Sequence, residues 1–350
     1  MARVFTRGFE DGDNYFSSDR INVIGGGAVI NEATTLSFGD ARCIKLSSIA
    51  GSNYIYTKII PQIASYDLSE VYVRIYASSG ASIYESTDDV RLTIQDDSGT
   101  DICYLADDGT VYTINGTGAA STTDIFAATW RRFEFHIVLA AAGSGGGITI
   151  RIDGISVFSS SEDLSSVTAV GYVGAFIQAG TASVETVLID DIAINDITGV
   201  TDNNYPGDAR IIGLLPTAAG ANTNMTPLSG DNYANVDDAQ SLGNDGDTTY
   251  VSAATSQELD SYEFESIATK YPSLPSNTAI ARVTMMAVCR TPTVGLDIRG
   301  VVVDGGTENG VVVTPEGTAS YGINGSVVTH PDGSWTYARV ESAEFGIESI

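Results

Sequence analysis

The stretch Trp130–Phe158, WRRFEFHIVLAAAGSGGGITIRIDGISVF, decides the fold of this 350-residue chain. Its first part alternates apolar and polar residues with a period of two, which is the pattern of a strand with one face in a core. The apolar positions are Phe133, Phe135, Ile137 and Leu139, and the polar ones are Arg132, Glu134 and His136. The stretch therefore begins with a strand that is buried on one side.

A glycine-rich connection and then a hairpin follow this strand. Isoleucines alternate with polar residues up to Ile152, and the apolar positions resume at Ile155. Asp153-Gly154 separates the two runs, and this dipeptide supplies the positive φ angles of a type I′ turn. A two-residue loop pairs Ile152 with Ile155, so turn chemistry and register predict the same antiparallel pair.

Further short strands fill the rest of the first 197 residues. In Asp89–Gly118, DVRLTIQDDSGTDICYLADDGTVYTINGTG, the turns Asp-Asp-Ser-Gly and Asp-Asp-Gly separate three of them. Gly171–Asp196 adds two more, and no long amphipathic helical pattern occurs before residue 200. Many short strands at regular spacing predict an all-β sandwich of jelly-roll type.

Three features of this region resemble the laminin-G/concanavalin-A-like sandwich family. Trp130 opens a strand, Asp153-Gly154 forms a hairpin after a glycine-rich loop, and VLIDDIAIND at 187–196 is similar to the last strand of that family. The resemblance covers about the first 197 residues. It implies a concanavalin-A-like jelly-roll sandwich and says little about activity.

The length of the chain favours two cores, because a single core rarely grows to this size. We predict a first domain at 1–197, a turn-rich linker at 198–210 and a second domain at 211–350. The second domain is predicted as a smaller β-sandwich with one short helix. Its predicted elements are a long surface loop or interface arm at 218–252, strands at 259–264, 280–290 and 296–304, and a helix at 335–344 followed by a strand.

The chain is strongly acidic, with 17 Lys plus Arg against 44 Asp plus Glu and a formal net charge of -27. Phosphate binding needs a cationic face, so we expect no nucleic-acid partner and no attraction to anionic membranes. No segment has the roughly 18 apolar residues of a membrane span. The amino terminus has no apolar secretion signal, so we expect folding in a cytoplasm. The acidity itself favours solubility over a specific cation-binding role.

Three cysteines, Cys43, Cys103 and Cys289, lie far apart and form no CxxC pair. This pattern predicts neither a disulfide framework nor a metal site. Cys103 and Cys289 lie in strand-like runs, which indicates buried free thiols.

Two acidic pairs are candidate calcium ligands, because carboxylate oxygens are the ligands that Ca²⁺ prefers. Asp11 and Asp13 flank Gly12 near the amino terminus, and Asp245 and Asp247 flank Gly246. A solvated turn is the alternative for the first pair, and the second pair lacks the full spacing of a calcium loop. We predict no other cofactor.

Tyrosines share one face on two predicted strands. Tyr54 and Tyr56 alternate with apolar residues on the first, and Tyr72, Arg74 and Tyr76 do so on the second. Such rings stack on sugars while an arginine binds hydroxyl or carboxylate groups, so these residues are candidate glycan ligands. In the alternative, the rings pack against the second sheet, a covering loop or a neighbouring subunit.

Catalytic patterns are weak, and we predict that the protein is not an enzyme. Glu258 with Asp260, and Asp96 with Asp97, are the nearest approach to paired carboxylates, and neither pair has the strand pattern of sandwich-fold glycosidases. The two histidines, His136 and His330, have the settings of structural or solvated residues. The triple glycines lack the other residues of a phosphate loop.

The second half resembles uncharacterised structural proteins of tailed bacteriophages. The resemblance rests on NNYPGDARIIGLLP, SGDNYANVDD, NDGDTTYV, the WT-helix-FGIE ending and the opening RGFEDGDNYF. It implies a noncatalytic component of the virion exterior, in a tail fibre or tip or as a capsid decoration, made in the host cytoplasm. Its expected partners are other virion proteins, further copies of itself, with a trimer favoured, and a cell-surface glycan. The alternative is a soluble glycan-binding lectin that is not part of a virion.

Overall fold

The computed structural model describes residues 3–7, 21–23, 29–32, 44–48, 57–59, 69–79, 89–120, 125, 129–178, 185–197, 203–238, 247–290, 297–304, 307–313, 322–328, 330–331 and 333–350. The chain divides into two compact units, Met1–Ile212 and Gly213–Ile350. The protein is all-β, and all strand pairs in the described residues are antiparallel.

The first unit contains two large sheets. Its strands are β1 Arg3–Arg7, β2 Ile21–Val23, β3 Val29–Glu32, β4 Ile44–Ser48, β5 Thr57–Ile59, β6 Glu70–Ser79, β7 Asp89–Asp96, β8 Asp101–Ala106, β9 Thr110–Thr113, β10 Gly116–Ala119, β11 Arg131–Val138, β12 Gly147–Ile152, β13 Ile155–Ser161, β14 Val170–Gln178 and β15 Glu185–Asp196. The eight-stranded sheet has the order β13-β12-β11-β6-β15-β4-β3, with β1 also paired to β15. The five-stranded sheet has the order β10-β9-β8-β7-β14, and β2 pairs with β5 separately.

One apolar core lies between these two sheets, which makes the first unit a β-sandwich. Phe133, Phe135 and Ile137 of β11 are fully buried in it, as the period-two pattern predicts. The five-stranded sheet contributes the alternate residues Leu92 and Ile94 of β7. The other face of each sheet therefore carries the polar residues that alternate with these.

The predicted hairpin is confirmed. Asp153 and Gly154 have φ angles of 53° and 83°, and Ile152 pairs with Ile155. Ile155 itself is 70% exposed, because it lies at the tip of the hairpin beyond the core. The pairing of β12 with β13 shifts register between Ile150 and Arg151. Further along β13, Phe158 packs against the core.

Gly118 of β10 lies in close contact with the Phe158 ring of β13 at one edge of the sandwich. A Cβ atom on Gly118 would lie 2.5 Å from Cε2 of that ring. The absence of a side chain on β10 thus lets the edge strand of the eight-stranded sheet approach the edge of the five-stranded one.

The second unit is a smaller sandwich. Its elements are β16 Pro216–Thr223, β17 Thr226–Pro227, β18 Val251–Ser252, β19 Leu259–Phe264, α1 Ile267–Lys270, β20 Val283–Cys289, β21 Ile298–Asp304, β22 Thr307–Val313, β23 Gly322–Val328, α2 Tyr337–Ser342 and β24 Glu344–Ser349. The sheet β16-β19-β24-β21-β22 shares a core with the pair β20–β23. Trp335 is central to this core, where it stacks on Phe345 and donates a hydrogen bond from Nε1 to the carbonyl of Val328 (2.9 Å).

The prediction of a loop or arm at 218–252 is wrong over 218–223, which belongs to strand β16 and pairs with β19. Alternate residues of β16 are half-buried and exposed, as in a strand. They are too small to give a clear apolar period, which is why the pattern is hidden in the sequence. The predicted helix near the end is confirmed at Tyr337–Ser342, and α1 is an additional helix of one turn.

Cys103 is fully buried, as predicted, and Cys289 is half-buried. Cys43 lies outside the described residues. No helix in the described part of the chain is long and apolar enough to cross a membrane.

Candidate functional site

Strand β6 places the predicted glycan ligands Tyr72, Arg74 and Tyr76 on the outer face of the eight-stranded sheet, away from the core. Tyr54 and Tyr56 lie outside the described residues. On the neighbouring strand β11, His136 pairs with Tyr72 and Glu134 pairs with Arg74. The sequence pattern thus predicts correctly that these polar residues share a face.

A segment of the same unit, Asn203–Asp208, lies on this face, and we call it the strap. Its Gly207 is held from both sides: Arg74 Nη1 donates to the Gly207 carbonyl (3.1 Å), and the Gly207 N–H donates to Glu134 Oε1 (3.1 Å). Gly207 has a φ of +71°, a conformation that favours glycine. Upstream, Asn195 Nδ2 donates to the carbonyl of Asn204 (2.6 Å). Part of the predicted linker at 198–210 is therefore bonded to the sheet of the first unit.

Arg74 and Tyr76 are covered as a result, with 1% and 3% of their surface exposed. Arg74 Nε also donates to the carbonyl of Asp191 (3.1 Å), and the Tyr76 hydroxyl donates to Asp208 Oδ1 (2.6 Å). Burial lowers the pKa of Arg74, an effect that Asp191 opposes, and burial together with Asp208 raises the pKa of Tyr76. In this arrangement neither residue is available to a ligand. Both residues instead pack against a covering segment, which is one of the alternatives to glycan binding given for these side chains.

Tyr72 belongs to a half-exposed aromatic group beside the strap. Its ring stacks on His136 with centroids 4.2 Å apart, and both side chains bond to Glu70 Oε1, at 3.1 Å and 2.9 Å. Burial and the Glu70 carboxylate raise the pKa of Tyr72 to about 12. Tyr205 of the strap meets Tyr72 edge-on, and the Arg151 guanidinium lies 3.7 Å from the centroid of the Tyr205 ring.

The outer face of the five-stranded sheet carries a second aromatic group, which we call the tyrosine stack: Arg91, Tyr104 and Tyr112. The two rings stack with centroids 4.4 Å apart and an interplanar angle of 19°. The guanidinium of Arg91 lies 4.4 Å from the centroid of Tyr104. All three side chains are half-exposed, so this face keeps its rings within reach of a ligand.

A polar row lies beside the tyrosine stack. Thr93 Oγ1 and Gln95 Nε2 both donate to Asp101 Oδ1 at 2.8 Å. On the far side of the stack, strand β10 has only small residues, Gly116–Ala119, and Thr117 pairs with Tyr112. The outermost ring thus stands next to side chains much shorter than its own.

Sequence reasoning missed the tyrosine stack, although the signal for it is present. Asp107-Asp108-Gly109 indicates a turn, and a two-strand register around it places Leu105 opposite Val111. Tyr104 then lies directly opposite Tyr112, as the structure has it. Aromatic cross-strand pairs of this kind are recognisable once the register of the hairpin is fixed.

The remaining candidates do not come together in the described residues. Asp11, Asp13 and Asp245 lie outside them, and Asp247 forms an ion pair with Arg290. No group of three or more metal-ligating side chains occurs in the described part of the chain.

The carboxylates Glu258 and Asp260 have separate structural partners. Glu258 is half-exposed and accepts hydrogen bonds from the N–H groups of Ala254 and Thr255, both at 3.1 Å. Asp260 is fully buried and accepts from the N–H of Met225 (2.8 Å) and the hydroxyl of Tyr262 (3.0 Å). These bonds brace turns of the second unit.

The histidines also lie apart. His136 belongs to the aromatic group of the first unit. His330 is buried in the second unit, 3.0 Å from Asp304 Oδ2 and edge-on to Trp335. Its surroundings are those of a core residue with a polar partner.

No protein-family model and no curated protein matches this chain. Similar solved structures include the cellulose-induced protein Cip1, with 13% identity and a TM-score of 0.40 over 59% of this chain and 100% of that one. An endo-β-1,4-glucuronan lyase from the fungus Trichoderma reesei has 13% identity and a TM-score of 0.38 over the same shares. A Bacillus subtilis protein with a galectin-like fold has 13% identity and a TM-score of 0.36 over 56% of this chain and 96% of that one. Likeness at this level carries no argument about what this chain binds.

Proposed function

We propose that the first unit binds a glycan at the outer face of its five-stranded sheet. The observation that carries the proposal is the tyrosine stack with the polar row beside it. Aromatic rings bind the apolar faces of sugars, and a few fixed polar groups set the orientation of the bound ring. Arg91, Tyr104 and Tyr112 supply the first element, and Asp101 with its two donors supplies the second.

The sugar ring is proposed to lie against Tyr112, on the side away from Tyr104. Strand β10 leaves room there, because its residues opposite the ring are small. Tyr104 and Arg91 act as positioning residues, since each is stacked on its neighbour and holds Tyr112 in place. A ring that is already fixed loses little conformational freedom on binding, which favours affinity.

The test is a glycan array followed by calorimetric titration of the strongest hit. Tyr112→Ala is expected to lower the affinity by about tenfold or more, which is about 1.4 kcal/mol of binding free energy. Tyr233→Ala, which changes a half-buried tyrosine of the second unit, is the matched control and should bind normally. Unchanged affinity of a folded Tyr112→Ala variant, or the absence of any array signal for the unmodified protein, would contradict the proposal.

The proposed role is noncatalytic. Its support is that Glu258, Asp260 and the two histidines each lie in a separate structural contact. Prolonged incubation with the bound glycan should leave its chain length unchanged on chromatography. Shorter products with new reducing ends, or the ultraviolet absorbance of unsaturated uronates, would show an enzyme instead.

The finer proposal is that this glycan-binding protein lies on the exterior of a tailed-phage virion as a homotrimer. Its support is the sequence resemblance of the second half and of the opening segment. Gold-labelled antibodies should then mark tails or heads of intact particles, and light scattering should give the mass of three chains. Unlabelled particles with the protein in the soluble fraction would favour the alternative of a free lectin.

A further inference from the structure

We propose that the strap is an internal occupant of a second binding face, on the eight-stranded sheet, and that this face takes an acidic sugar, a hexuronate, when the strap lifts. The proposal does not depend on the glycan site of the five-stranded sheet. It rests on the chemistry of the groups that the strap presents to β6 and β11.

The first of these groups is a carboxylate. Asp208 Oδ1 accepts a hydrogen bond from the Tyr76 hydroxyl at 2.6 Å and lies 3.6 Å from Arg132 Nη1. The hydroxyl and the guanidinium therefore form a two-sided site for a carboxylate oxygen. Bonds of this kind to an ionised acceptor are among the stronger ones in proteins.

The second group is the main chain of Gly207, which accepts from Arg74 and donates to Glu134. A sugar hydroxyl can do both, because its oxygen accepts while its hydrogen is donated. A hexuronate carries such hydroxyls on the ring that also bears its carboxylate. One acidic sugar residue thus has the groups to replace both contacts of the strap.

Charge selects an acidic ligand over a neutral one. The neighbouring strands β6, β11 and β12 carry Arg74, Arg132 and Arg151. The Glu134 carboxylate between them is paired with Arg132 at 3.3 Å, so the arginines outnumber this acidic neighbour. When Asp208 leaves, Tyr76 and Arg132 both lose an ionised acceptor. A neutral sugar does not restore that charge, and a carboxylate does.

The strap is held by contacts that water can replace. The Asp208 side chain is 79% exposed, and Asn204 contributes a main-chain carbonyl. Tyr205 is the one large side chain of the strap, and it is half-exposed where it lies against Arg151 and Tyr72. Lifting the strap therefore exposes polar groups to water instead of leaving them buried and unpaired.

The first experiment compares the unmodified protein with a release variant, Tyr205→Ala/Asp208→Asn, which removes both side-chain anchors. Calorimetry measures the binding of hexagalacturonate and of neutral cellohexaose. If the strap covers the face for more than nine-tenths of the time, the release variant should bind hexagalacturonate about tenfold tighter or more. The matched control, Asp231→Asn/Tyr233→Ala, makes the same two changes in a loop of the second unit and should gain nothing.

Two added changes locate the gain. Arg132→Ala in the release variant should abolish it, and Tyr112→Ala should leave it intact, which separates this face from the tyrosine stack. No gain, or an equal gain for cellohexaose, would overturn the proposal. Binding of a strap peptide, Asn-Tyr-Pro-Gly-Asp, in place of the sugar would overturn it in favour of a peptide site.

A second measurement needs no variant. The Gly207 N–H is bonded to Glu134, so its hydrogen exchange reports the docked strap. Saturating hexagalacturonate should accelerate this exchange in the unmodified protein, whereas cellohexaose should not. Unchanged or slower exchange with hexagalacturonate would contradict displacement of the strap.

Discussion

The two outer faces of the first unit use the same kinds of side chain in opposite ways. On the eight-stranded sheet, Arg74 and Tyr76 are buried beneath the strap and bonded to its backbone and to Asp208. On the five-stranded sheet, Arg91 and Tyr104 are half-exposed and stacked on each other. What lies over a face rich in tyrosine and arginine therefore decides whether its side chains are buried or accessible, and the residue types alone do not.

The two faces should also differ in what they contribute to stability. Breaking the contacts of a buried guanidinium lowers the free energy of unfolding strongly, because charged or polar groups are left buried without partners. Half-exposed ring contacts contribute little beyond packing. Substitutions on the covered face should therefore lower the free energy of unfolding, and those on the other face should lower ligand affinity.

The largest expected effect is that of Arg74→Ala. This change removes the donors to the carbonyls of Asp191 and Gly207 and takes one of two cationic neighbours from Glu134, which keeps Arg132 at 3.3 Å. We expect a loss of about 3 kcal/mol in the free energy of unfolding, measured with urea. Arg91→Ala is the matched control and should cost about 1 kcal/mol or less. Equal losses in the free energy of unfolding for the two variants would show that the two faces do not differ in their contribution to stability.

A smaller loss is expected from Tyr76→Phe, which keeps the ring and removes its hydroxyl. The hydroxyl donates to a carboxylate whose side chain is largely exposed, so we expect a cost of about 1 kcal/mol. A double-mutant cycle with Asp208→Ala measures the coupling directly. If the two changes add without coupling, the bond does not hold the strap.

The tyrosine stack should respond in the reverse sense. Tyr104→Ala is expected to lower stability by about 1 kcal/mol, because it removes one stacked pair and one guanidinium contact. Its effect on glycan affinity should be the greater one, since Tyr112 loses the ring that positions it. Calorimetric binding and thermal unfolding of the same preparation give both quantities. If the variant is destabilised but binds glycan normally, the glycan site does not lie at the tyrosine stack.

The smallest effect concerns the titration of one residue beside the strap. The pKa of Tyr72 is raised to about 12 in the folded protein, above the ordinary value of 10.0, because burial and Glu70 disfavour the phenolate. The folded state thus keeps this proton longer than the unfolded state does. The stability that the proton contributes is complete below pH 10 and is lost as the pH rises towards 12.

Tyr72→Phe isolates this contribution. The difference in the free energy of unfolding between the unmodified protein and the variant should shrink between pH 10 and pH 12. Urea unfolding at a series of pH values measures it. A constant difference over that range would show that Tyr72 titrates normally, and a growing difference would show that folding lowers its pKa; either result would contradict the raised pKa.

The sequence predicts most of the fold because the first unit follows simple periodicities. The alternation in β11 and the Asp153-Gly154 turn are local signals, and the structure follows both. Strand β16 lacks large apolar residues, so its pairing with β19 depends on a partner distant in sequence. No local pattern contains that information.

The candidate site was predictable only in part, for a related reason. The shared face of Tyr72, Arg74 and Tyr76 follows from alternation along one strand. The burial of Arg74 and Tyr76 depends on the strap, which is more than 120 residues away in sequence and is bonded largely through its backbone. The pairing of Tyr104 with Tyr112 follows from the register of one hairpin, which the sequence can predict.

The buried thiol of Cys103 can report how often the core of the first unit opens. Burial raises the pKa of this thiol well above its ordinary range, so it reacts with a thiol reagent only when the two sheets separate. In a Cys43→Ser/Cys289→Ser background, the rate of labelling at Cys103 would time the opening of the sandwich. Lifting of the strap leaves that core closed, so the same protein could distinguish exposure of an outer face from opening of its interior.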